Sequence, residues 1–97
     1  MITAATQHDQ TTLDTAAGLL DAVANQDNAG ARATWCLLAT DRLVRAGAAP
    51  VSTVVVDAEA GIRQAMQFLS TLSEDLFADE LVHAALEAAR RAYFGTC

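Results

Sequence analysis

The chain has 97 residues, room for one hydrophobic core and no second domain. Six Arg, no Lys and twelve acids give a net charge of −6, the wrong sign for a nucleic-acid backbone. No span approaches the roughly 20 apolar residues a membrane helix needs, and the first thirty residues carry neither a basic start nor an apolar signal run. The expectation is therefore a cytoplasmic protein with no nucleic-acid and no membrane partner.

Hydrophobic residues make up 53% of the chain, with only one Pro and five Gly, so it is expected to fold. Ala supplies 22 of them and leaves 29 larger or sulfur-bearing side chains for the core. So thin a core predicts extra burial against another subunit.

Residues 1–10 are small or polar without a period and are read as a flexible tail before a single helical domain, 11–97. Thr11 and Asp14 make an imperfect capping box for a first helix over 12–26, on which Leu13, Ala16, Ala17, Leu20, Val23 and Ala24 repeat at helical spacing. Gly18 within it marks either close packing or a surface position. Asn28 can cap a second helix over 29–46 that stops at Gly47. Its residues Trp35, Cys36, Leu37, Leu38, Leu43 and Val44 cover more than one stripe, which predicts the most buried helix.

After Pro50, the residues Val51, Val55, Ala58, Ile62, Ala65, Leu69 and Leu72 follow at alternating steps of four and three, an apolar seam of heptads. The preferred reading is one helix over 51–72, with Val51, Val55, Ile62, Leu69 and Leu72 as a candidate interface. The rival reading makes the β-branched run 51–56 extended and starts the helix at Asp57 as N-cap; it is ranked second because a lone strand has no partner. Ser73 can cap a last helix that runs to Gly95, with Glu74 and Asp75 in its first turn and Arg90 and Arg91 near its end. Leu76, Phe77, Leu81, Val82, Ala85, Leu86, Ala89 and Tyr93 give it a face wide enough for two neighbours. Four helices joined by short loops predict an all-α, antiparallel up-down-up-down four-helix bundle, completed or extended by dimerisation.

No motif names a function. Glu80-x-x-His83 places a carboxylate and an imidazole on one helix face, half of a carboxylate-bridged site for iron or manganese that a second subunit could complete. Yet Glu80, His83, Glu87 and Arg91 also form the continuous line expected of a solvated, ion-paired face, and that reading is preferred, with no cofactor. Residues 43–54 resemble a helix-turn-helix in outline, but the would-be recognition helix carries Asp57 and Glu59 and nothing to hold phosphate. Cys36 sits in an apolar run and reads as a buried, inert thiol, and Cys97, at the end of the sequence, as an exposed one. No Ser or Cys stands in a catalytic motif with His8 or His83, which leans against an enzyme. Trp35 with Met66, Phe68, Phe77, Tyr93 and Phe94 could line a small-molecule pocket, although core filling suits so few aromatics better. The leading expectation is association, as a homodimer or as an accessory or regulatory subunit.

Overall fold

The structure, a computed structural model, describes residues 4–26 and 30–94. Among them every regular element is helical, in the order α1 (Ala4–Ala24), α2 (Ala31–Arg45), α3 (Ala58–Leu69), α4 (Glu74–Phe77) and α5 (Glu80–Phe94). Helix α1 packs on α2 and α3, and α5 packs on the same two, so each of the four longer helices touches two others around a shared core. The radius of gyration is 12.4 Å, close to the ~12.5 Å of a folded domain this size.

The apolar stripe read on α1 is the centre of that core: Ala16, Ala17, Leu20 and Val23 are fully buried. From α3 come Ile62, Ala65 and Leu69, and from α5 Val82, Ala85, Ala89 and Ala92, all fully buried. The small side chains of α5 let it approach α2 and α3 closely, and its wide face does meet both.

The start of α1 departs from the sequence reading. The helix reaches back to Ala4, so Thr11 lies within it and caps nothing, and residues 4–10 are helix rather than tail. Two side chains in this stretch tie it to distant segments. Asp9 Oδ1 accepts from the Ser73 backbone N–H at 3.2 Å, and Gln10 Nε2 donates to the Gly47 carbonyl at 2.9 Å. These anchors connect residues far apart in sequence, so the local polar composition does not reveal them.

Helix α2 follows Gly30 at its N-cap; Asn28, expected in that role, lies outside the described residues. The helix ends as expected at Gly47, whose φ of 112° suits a residue without Cβ. The Ala48 N–H donates to Leu43 O at 2.9 Å and the Gly47 N–H to Val44 O at 3.0 Å, the paired bonds of a Schellman motif. Helix α2 is not the most buried element: Leu37 is 59% and Val44 45% exposed. It has neighbours on the α1 and α5 sides, and its remaining face meets water.

The single helix over 51–72 does not form. Residues 50–55 have no regular structure, Val56 lies in a bend, and α3 begins at Ala58. Asp57 is its N-cap, φ −107° and ψ 115°, with its side chain accepting from the Glu59 N–H at 3.2 Å. Three of the first six residues of this stretch are consecutive valines, whose branched Cβ resists the helical rotamer, and Asp57 offers a cap just beyond them. The heptad seam is therefore broken: Ile62, Leu69 and Leu72 are buried within the chain's own core, while Val51 is half exposed.

The last expected helix is two. α4 covers one turn, and α5 restarts after Asp79, whose Oδ1 accepts from the Leu81 N–H at 2.8 Å. This is the cap that matters at that end, since the Ser73 side chain makes no capping bond. Gly95 and Cys97 lie outside the described residues.

Candidate interaction surface

The segment 51–56, Val-Ser-Thr-Val-Val-Val, is held against α1 by features that sequence spacing did not connect. Asp14, read as part of a capping box, instead receives the incoming chain: its Oδ1 accepts from the Ala49 N–H at 2.8 Å, and its backbone carbonyl accepts from the Val51 N–H at 3.2 Å. Gln10 Nε2 holds that same carboxylate at 2.8 Å. At the other end Gln26 Nε2 donates to the Val55 carbonyl at 2.6 Å.

Two helix glycines make the seat. A Cβ at Gly18 would collide with the Val51 carbonyl oxygen and lie 3.0 Å from the Val51 nitrogen. One at Gly61 would lie 2.6 Å from Val55 Cγ1 and 3.2 Å from Val23 Cγ2. Of the two readings open for Gly18, close packing is the one observed. Each glycine weakens its helix by up to about 1 kcal/mol, and what that permits here is the close approach of residues 51 and 55.

The outer side of the segment is bare. Val54 is 88% and Val56 92% exposed, and Ser52 and Thr53 are exposed as well. Among the described residues, the backbone groups of Ser52, Thr53 and Val54 have no hydrogen-bond partner. A groove of about 340 Å³ runs between the segment and α1, lined by Gly18, Asp21, Ala22 and Asn25 on the helix side. No charged residue occurs from Ala46 through Val56. An uncharged, valine-rich run with open backbone groups is what proteins ordinarily cover or interrupt with charge.

The other candidate sites are placed as follows. Glu80 and His83 are both exposed on α5, and the His83 ring packs against Phe77 at 5.4 Å. No group of three or more His, Cys, Asp or Glu side chains suited to a metal ion occurs among the described residues. Further along the same face Glu87 and Arg91 pair at 3.5 Å, and on α2 Asp41 bonds both half-buried Arg42 and exposed Arg45 at 3.0 Å, at surface positions where such pairs add little stability. Trp35 is half buried on α2 beneath the Arg91 guanidinium, 5.3 Å from the ring centre, a cation–π contact that links α2 to α5. Of the other aromatics, Phe77 packs with His83, and Tyr93 meets Phe94 edge-on. Cys36 is fully buried, and burial pushes its thiol pKa up to about 11, with the Arg32 charge pulling weakly the other way.

No helix of the described residues is long and apolar enough to cross a membrane. Comparison with protein-family models, with curated proteins and with solved structures finds no match for this chain.

Proposed function

We propose that this chain works by association with another protein chain, as a homodimer or as an accessory subunit, and that residues 51–56 are the surface it offers. The observation that carries this reading is the contrast within the segment. One side is fixed by Asp14, Gln26, Gly18 and Gly61, while the other leaves Val54 and Val56 almost fully exposed. A segment held this firmly with its outer edge open suits strand addition, in which main-chain hydrogen bonds give affinity and alternate side chains give specificity. The closed ring of contacts among α1, α2, α3 and α5 supports an antiparallel four-helix bundle as the scaffold.

The test is a photo-crosslinking amino acid at position 54, with one at exposed Arg63 on α3 as control. Illumination in cells at native expression should give a discrete adduct from position 54 and none from position 63. Absence of any adduct at position 54, in a chain whose helical circular dichroism is intact, would overturn the reading.

A further inference from the structure

We draw no further inference here: the strongest candidate, the exposed valine-rich segment over residues 51–56 with the groove between it and α1, belongs to the surface already described, and nothing in the structure shows what covers it.

Discussion

Replacing Gly18 with Ala reverses the usual sign of a helix substitution if the seat for Val51 is real. On an exposed helix face the change stabilises by about 1 kcal/mol, because Ala loses less conformational freedom than Gly. Here the added methyl meets the Val51 carbonyl and nitrogen, which are backbone atoms and cannot rotate away. The chain then has two responses. Keeping the segment in place costs an overpacking strain of about 1–3 kcal/mol or more. Releasing it forfeits the Val51–Asp14 and Gln26–Val55 hydrogen bonds, about 1 kcal/mol each, and the partial burial of Val55, about another 1 kcal/mol. The cheaper route costs at most about 3 kcal/mol, and subtracting the helix gain leaves a net loss of up to about 2 kcal/mol. For a domain this size that lowers Tm by up to about 16 °C. Thermal unfolding followed at 222 nm, with amide exchange at residue 51, reads both effects. A rise in Tm would refute the reasoning and return Gly18 to the surface. Gly61→Ala should cost less, because its methyl meets the Val55 and Val23 side chains rather than backbone.

Two further perturbations follow from the geometry. Asp79→Ala removes the bond to the Leu81 N–H and should cost about 1 kcal/mol, whereas Ser73→Ala, which removes no capping bond, should be near neutral in urea denaturation. Burial of Cys36 raises its pKa, so above the unfolded thiol's value of roughly 8.5 the unfolded chain releases its proton first. The native state then holds more protons and stability falls as pH rises, from that value up to about 11, with no contribution to the slope below it. Urea unfolding of wild type and Cys36→Ala across this range should differ in slope, and identical slopes would remove the burial argument.

What the sequence determined by itself was local and periodic. All-helical class, the α1 stripe from Leu13 to Val23, the stop at Gly47 and the two-sided face of α5 were legible because side chains three and four apart share a helix face whatever surrounds them. The Asp57 cap was legible too, though ranked second. Tertiary structure decided the rest. The heptad spacing from Val51 to Leu72 fits a helix as well as any real one, and it failed because Asp14 and Gln26, 37 and 29 residues from Val51 and Val55, bond the backbone of this segment and Gly18 and Gly61 make room for it. Asp9 and Gln10 looked like tail for the same reason: their partners are Ser73 and Gly47, and no local pattern records a hydrogen bond to a residue tens of positions away. The interaction surface lay within this blind region. Its one sequence signal was the pairing of a glycine inside each of two helices with a valine-rich run between them, and only the packing of α1 against α3 shows that both glycines face that run.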